Sequence, residues 1–260
     1  REKGFAAPER FSSGVGGKKG GRQAATVINR LFSTKQFWDG RAASLEEQAL
    51  GPVQNPVEMG MPSMAVVKEK LTADPSYVAE FKAAFPPDGE ITDIHIAQAI
   101  ASFERTVLSG NSPYDRFVAG DKSAMSEAAQ RGYALFKDPA KANCETCHVG
   151  FNFTDENYNN IGVGMAAAKP DLGYYAITKL EGHKGAFKTP TLREIASTAP
   201  YMHDGSQKTL EEVVSFYNKG GHKNKWLSTK IKPLKLTKQD ESDIVEFLKA
   251  LSGDLTWYGK

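Results

Sequence analysis

Cysteine is almost missing from this chain: two occur in 260 residues, three positions apart, so no disulfide framework holds the fold together. Long apolar runs are missing as well. Nowhere do the roughly 18 consecutive apolar residues of a membrane-crossing helix occur, and the polar, Gly-rich start at Arg1 has neither an initiator Met nor an apolar signal core, as in a mature, soluble fragment. Neither sign of charge dominates. The 33 basic and 31 acidic side chains leave a formal +2, and no block argues for nucleic acid or a membrane surface. Histidine is scarce, five in all, with none before His95.

What is present reads as mainly α, in two domains, residues 1–122 and 123–260, with long irregular connections and little β structure. Residues 12–22 (SSGVGGKKGGR) hold five glycines and almost nothing apolar, the composition of a mobile loop. Ser44 with Glu47 caps a helix through LEEQAL that Gly51-Pro52 is expected to end. A second helix is expected from about Ser63 to Leu71. The strongest follows Thr92 to about Ser109, with Ile94, Ala97, Ile100, Phe103 and Val107 as its apolar stripe. The stretch Gly110 to Lys122 is turn-rich and reads as the domain boundary, and the helix SEAAQRGYALF then runs towards the cysteines. From Val149 to Phe187, glycines and polar residues suggest an irregular region wrapped around a cofactor. Thr209 with Glu212, and Thr237 with Asp240, cap two late helices, the second with Ile244, Phe247, Leu248 and Leu251 in one stripe.

In Cys144-Glu145-Thr146-Cys147-His148, two thiols three apart can add to the two vinyl groups of a haem, and the adjacent His then reaches the iron from the same side. A thioredoxin-like dithiol would want a strand-helix-strand context, and a structural zinc two further ligands nearby; neither is present. Because a c-type haem is assembled on the periplasmic side in bacteria, the motif places the protein in the periplasm.

At this point the sequence resembles a known family, the bacterial dihaem cytochrome c peroxidases with the related enzymes that mature methylamine dehydrogenase. The resemblance covers nearly the whole chain. It rests on GGR at 20–22, QFWDGRAASLEEQALGPVQNPVEMG at 36–60, SFERT at 102–106, CETCH, KTPTLREIASTAPYMHDG at 188–205 and TLEEVVSFYN at 209–218, in that order. The family usually has two CxxCH motifs; the one here matches the second, and the first is expected upstream of Arg1. This chain would then hold one haem covalently, with a second implied by the family.

The resemblance implies a division of labour. The first haem is the peroxide site, its pocket built from the segment Phe37 to Glu58: Glu58 would be the acid/base that moves a proton between the peroxide oxygens, with Gln48, Pro52 and Phe37 lining the pocket. Trp38 corresponds to the tryptophan between the haems. Gln23, Thr198 and Pro200 match the positions that hold a calcium ion, Gln being one methylene longer than the usual Asn. His203 in PYMHDG would hold the haem edge or propionates, and His95, His183 and His222 are surface or packing residues.

Two departures carry information. Many family members have a histidine in the Gly-rich loop that occupies the first haem until the second is reduced; no such histidine exists here, so the peroxide site is expected to be ungated. The far ligand of the second haem is commonly a Met fourteen residues after the His of PYxHDG; that count from His203 ends on Tyr217. Tyr217 with His148 on the iron would lower the potential relative to a thioether, with Met202 the weaker alternative.

Three readings result. The first is a peroxidase taking electrons from a small c-type cytochrome or cupredoxin. The second is a protein-modifying oxidase with a His/Tyr haem acting on Trp or Tyr of a partner, and the third a monohaem electron carrier, whose fold needs only about a hundred residues. A homodimer is compatible with the family. All three require a covalent haem: mass spectrometry of tryptic peptides should find the CETCH pentapeptide carrying added haem mass, and a wholly unmodified peptide would exclude every one of them.

Overall fold

The computed structural model describes residues 3–257. Helix α1 (Leu45–Gln54) starts where Ser44 accepts from the Glu47 N–H while the Glu47 carboxylate accepts from Ala43. It does not stop at Gly51-Pro52 as expected. Pro52 sits in the last turn, where its missing N–H forfeits only one helical bond, and the carbonyls of Pro52 and Val53 then receive the N–H groups of Met59 and Met61. Helix α2 (Met64–Thr72) follows its Ser63 cap as expected. Helix α3 (Pro75–Ala84), which periodicity alone does not reveal, begins on an Asp74 cap with Pro at its first position.

Helix α4 (Asp93–Thr106) is present, but its buried face keeps only Ala97 and, just past its end, Val107 of the expected stripe. Ile94, Ile100 and Phe103 are 66%, 37% and 40% exposed, whereas Ile96, Ala97, Ala101 and Glu104 are buried. Small residues at 97 and 101 let α4 lie close against α1, and Arg105 clamps the pair through Glu46 at 2.7 Å. Val53, Met64, Phe81, Ile91 and Ile96 close the core of this half.

Four short strands among the described residues, β1 (Leu108–Gly110), β2 (Tyr158–Asn159), β3 (Phe187–Lys188) and β4 (Asp254–Thr256), form two antiparallel pairs, β1 with β4 and β2 with β3. The first pair returns the end of the chain to its first half, where Ile28, Val107 and Trp257 make a small core. The turn-rich stretch after β1 contains helix α5 (Pro113–Val118), started by a Ser112/Asp115 capping box. Arg193 grips the same Asp115 through both carboxylate oxygens at 2.7 and 2.8 Å.

The second half is built on α6 (Glu127–Lys137) crossing α9 (Lys238–Lys249), with the short α7 (Tyr175–Thr178) in the irregular region and α8 (Leu210–Asn218) packed on α9. At the crossing, a Cβ on Gly132 would stand 1.9 Å from the Asp243 carbonyl oxygen, so only glycine permits this approach. Arg131 then clamps Asp243 at 2.7 and 2.8 Å. Phe247, fully buried, is ringed by Tyr114, Tyr133, Phe136 and Phe153 at centroid distances of 5.0 to 6.1 Å; burial of one such ring contributes about 3 kcal/mol.

Glu104 is the anomaly of the first half. Its carboxyl is buried, one oxygen has no hydrogen-bond partner, and burial raises its pKa to about 6 against the pull of Arg30 and Arg105. A carboxyl that ionises less readily folded than unfolded contributes stability below its unfolded value of 4.5 that is lost as pH rises through about 6. Glu104→Gln is therefore expected to stabilise the protein by up to about 2 kcal/mol at about pH 8 and by nothing near about pH 4. Urea titrations at the two pH values measure this, and equal gains at both would contradict it.

Candidate functional site

Helix α6 delivers the chain to Asn143, whose left-handed backbone (φ 49°) starts a single 3-10 turn over Cys144–Thr146. That turn closes with the Cys147 and His148 N–H groups both on the Cys144 carbonyl, at 3.2 and 3.0 Å. Both thiols and the imidazole thus line one cavity, which encloses about 1720 Å³ including its open mouth. Phe136, Leu192, Ile195, Leu210, Val214 and Leu248 are among its apolar walls.

His148 Nδ1 lies 2.9 Å from the Phe153 carbonyl oxygen. A carbonyl only accepts, so the proton sits on Nδ1 and Nε2 is left as the bare nitrogen. Burial lowers the pKa and keeps the ring neutral, the state in which imidazole binds a metal. Burial also pushes the Cys144 thiol up to about 12 and raises that of Cys147, where Lys230 pulls partly back. These are the reverse of the lowered values of redox-active dithiols. The two sulfurs are free of any disulfide.

Tyr217 and Met202 both line this cavity. The Tyr217 phenol is raised in pKa by burial and by its neighbours Cys144 and Cys147, which places it close to the thiols, and none of the hydrogen bonds among the described residues involves its hydroxyl. Met202 is held with φ 71° in the turn that also presents His203. His203 stacks on Phe187 at 3.6 Å and 11°; burial lowers its pKa to about 4, against Asp204 and Asp171.

Trp38, Gln23, Thr198 and Pro200 line the same cavity on its side towards the first half. Trp38 donates its indole N–H to the Gln23 carbonyl at 2.9 Å, and its own carbonyl accepts from Lys188 at 2.8 Å. Gln23 donates its amide to Ala7 at 3.2 Å, and Thr198 donates to the Ile195 carbonyl at 3.3 Å. The three oxygen-bearing groups expected to hold calcium all line this cavity, all of them neutral; among the described residues no cluster of His, Cys, Asp or Glu is arranged for a metal ion.

Gln48, Pro52, Phe37 and Glu58 stand apart from that cavity, in a wall made by α1 and the loop after it. Phe37, in a left-handed turn (φ 65°), lies against Gly51 with the Arg41 guanidinium 3.5 Å from its ring centre. The Gln48 side-chain oxygen is buried without a partner. Glu58 is half-buried, and its backbone is fixed at both ends: its N–H donates to Asn55 at 3.0 Å and its carbonyl accepts from Val15 at 2.8 Å. The Gly-rich loop expected to be mobile is thus tied to Glu58 by Val15 and to Pro56 by Lys18. Gly14 belongs there because a Cβ would meet the Val57 carbonyl at 2.1 Å.

Two groups at the cavity rim escaped the sequence reading. Lys188 is 5% exposed and paired with Glu156 at 3.1 Å; burial and nearby Arg30 lower its pKa to about 8. Arg22 joins Asp171 and Asp39, each at 2.6 Å. Both pairs join residues far apart in sequence, so no local pattern announces them.

The residues fit a haem. A neutral histidine oriented by a backbone carbonyl, two protonated thiols beside it, one enclosed and one half-buried, and an apolar cavity meet the needs of a thioether-linked cofactor. The fit agrees with comparison to known proteins. A family profile described as di-haem cytochrome c peroxidase matches residues 1–123. Methylamine utilization protein MauG of Methylorubrum extorquens is 41% identical over 90% of this chain, and the chain spans 65% of that protein's length. Cytochrome-c peroxidase IdrP1 of Denitromonas iodatirespirans is 39% identical over 93% of this chain and 71% of its own length. In structure, a MauG-like protein associated with microbial copper homeostasis superposes with a TM-score of 0.87 at 31% identity, covering 97% of this chain and 81% of that one. With a haem-binding turn, a matching fold and relatives of this similarity over nine-tenths of its length, the chain belongs to the di-haem cytochrome c peroxidase family of haem oxidoreductases.

Proposed function

We propose that the chain belongs to a periplasmic di-haem peroxidase, organised as two haem domains divided near Ser123, that reduces hydrogen peroxide to water with electrons from a small c-type cytochrome or cupredoxin. The observation that carries the proposal is His148, held by the Phe153 carbonyl beside the thiols of Cys144 and Cys147, in one cavity with Trp38. Haem c, when bound, supplies the iron chemistry, a store of electrons and a centre that activates peroxide.

The remaining work falls to side chains of this chain. Cys144 and Cys147 hold the porphyrin by thioether bonds, and His148 holds its iron. Tyr217, ahead of Met202, would be a second protein group offered to the iron from this cavity: a buried phenol gives up its proton only against a cation, and ferric iron would provide one. His203, stacked on Phe187, positions the porphyrin edge. Trp38 links the cavity to the α1 wall, with Gln23, Thr198 and Pro200 offering calcium its oxygen ligands at that junction. On the wall, Glu58 takes a proton from the near oxygen of peroxide and returns it to the far one, while Gln48, Pro52 and Phe37 confine the substrate. Two electrons and two protons in all convert one peroxide to two waters.

A second reading, oxidation of Trp or Tyr on a partner protein, is favoured by one observation: Tyr217 rather than a methionine stands on α8 where the cavity needs a ligand. Steady-state turnover with a reduced cytochrome separates the two.

With no histidine ahead of His95, the fully oxidised holoprotein should react with one equivalent of peroxide in stopped-flow spectroscopy without prior reduction. Glu58→Gln should slow that reaction by about 10²- to 10⁴-fold and leave the visible spectrum of the His148 haem intact. Tyr217→Met should raise the midpoint potential of the same haem in a spectroelectrochemical titration. An unchanged potential would remove Tyr217 from the iron.

A further inference from the structure

The near balance of charge over the whole chain conceals a local imbalance. Between Glu212 and Asp240 there is no acidic residue, while lysines stand at 219, 223, 225, 230, 232, 235 and 238. This segment leaves α8 just after Tyr217 and returns at the start of α9. It forms one lip of the haem cavity: Lys230, Ile231, Lys232 and Leu234 all line it. The Lys230 ammonium is 3.4 Å from the Thr146 carbonyl and 3.7 Å from Cys147 Sγ.

The lip is a built surface. Ser228 donates its N–H to Asn160 at 2.9 Å and its hydroxyl to Asn159 at 3.1 Å, and Leu234 and Leu236 are held by Asn218 at 3.0 and 2.9 Å. Its outermost lysines are not neutralised from inside. Lys230 reaches Asp155 at 3.7 Å and Lys238 reaches Glu241 at 2.6 Å. Lys219 and Lys238 border a groove with Glu211, Glu212, Glu241 and Glu246. Lys223, Lys225, Lys232 and Lys235 are exposed and have no ion pair among the described residues. Between them Trp226 lies half-buried, with Lys184 and Lys225 4.8 and 5.6 Å from its ring and its indole N–H on Glu181.

We infer that this lip, centred on Trp226 and carrying Lys223, Lys225, Lys232 and Lys235, is the docking surface for a small redox protein with an acidic face. The inference rests on the reading that CETCH carries a haem. Aromatic anchors framed by charge are the usual core and rim of a binding patch. Exposed like charges steer an oppositely charged partner, raising association rates by about 10- to 10³-fold at low salt. The position selects a redox protein over a nucleic acid, since Lys230 and Lys232 of the same lip line the haem cavity and Lys230 lies against Cys147, where an electron would enter. The step transfers a single electron from the donor's reduced metal to ferric haem, with no bond made or broken.

The test uses the haem-loaded protein without peroxide, its His148 haem reduced beforehand with dithionite, with oxidised plastocyanin as the acidic probe and oxidised mitochondrial cytochrome c as the basic one, so that the electron runs downhill through the same docked pair. Calorimetric binding and stopped-flow oxidation of the His148 haem are followed as salt rises from about 10 mM to about 150 mM. Plastocyanin should bind and oxidise the haem with rates that fall at least about tenfold over that range. Lys223→Glu/Lys225→Glu should lower both affinity and rate at low salt by about tenfold or more, Lys223→Arg/Lys225→Arg should restore them, and oxidation by an uncharged quinone should be unchanged. Equal behaviour towards the two probes, charge reversal without effect, or tighter binding of a single-stranded oligonucleotide than of plastocyanin would overturn the proposal. Peroxide turnover with a small-molecule donor, measured separately, fails only if the peroxidase reading fails.

Discussion

The crossing of α6 and α9 at Gly132 is the constraint on which the rest of the haem-binding half depends. Because residue 132 has no side chain, the Asp243 carbonyl occupies the space a methyl group would take, and the two backbones approach as closely as helices can. Arg131 then locks the angle through Asp243. Everything that shapes the cavity hangs from this pair. The end of α6 sets down the Cys144–Thr146 turn, Ile244 and Leu248 of α9 supply the floor, and α8 lies on α9 with Tyr217 turned inward. Phe247, at the centre of four aromatic rings, welds the crossing to Phe153, whose carbonyl in turn sets the His148 tautomer. A single hydrophobic packing decision is thereby transmitted to the iron-binding nitrogen.

Much of this was legible in the sequence, and the physical reason differs from element to element. Capping signals at Ser44, Thr209 and Thr237 act within one turn, so local sequence suffices, and each starts a helix; Ser63 and Thr92, where helices were expected to begin, prove to be caps as well. The CETCH motif is equally local. Proline misled in two ways: at Pro113 it opens a helix inside a stretch read as turn-rich, and at Pro52 it is tolerated near a helix end, while the helix that Pro75 opens went unread. The buried face of α4 was misjudged because apolar residues occupy more than half of its circumference. Hydropathy alone ranks Ile94, Ile100 and Phe103 above Ala97 and Ala101, yet close approach to α1 rewards the small pair.

The site was legible to the extent that its members are motif residues. Cys144, Cys147, His148, Tyr217, Met202, His203, Trp38, Gln23, Thr198 and Pro200 meet in one cavity, although they come from five separated stretches of chain. Spacing alone could not have placed them there; the family resemblance did. Lys188, which lines the cavity, and Arg22, which lies over Phe187 of its wall, add fixed charge whose partners stand far off in sequence. The sequence also showed the lysines after Tyr217, but only the fold places them on the cavity's rim.

Lys188 and Glu156 have a consequence for how this chain can change over time. An ammonium and a carboxylate this deeply enclosed stabilise one another only as a couple; removing either strands the other charge at a cost of about 3 to 5 kcal/mol, a large part of the stability of an ordinary domain. Drift at one position is therefore barred unless the second drifts with it. Among descendants of this sequence, positions 188 and 156 should be inherited as a unit, both charged or both neutral, even though 31 residues separate them in the chain.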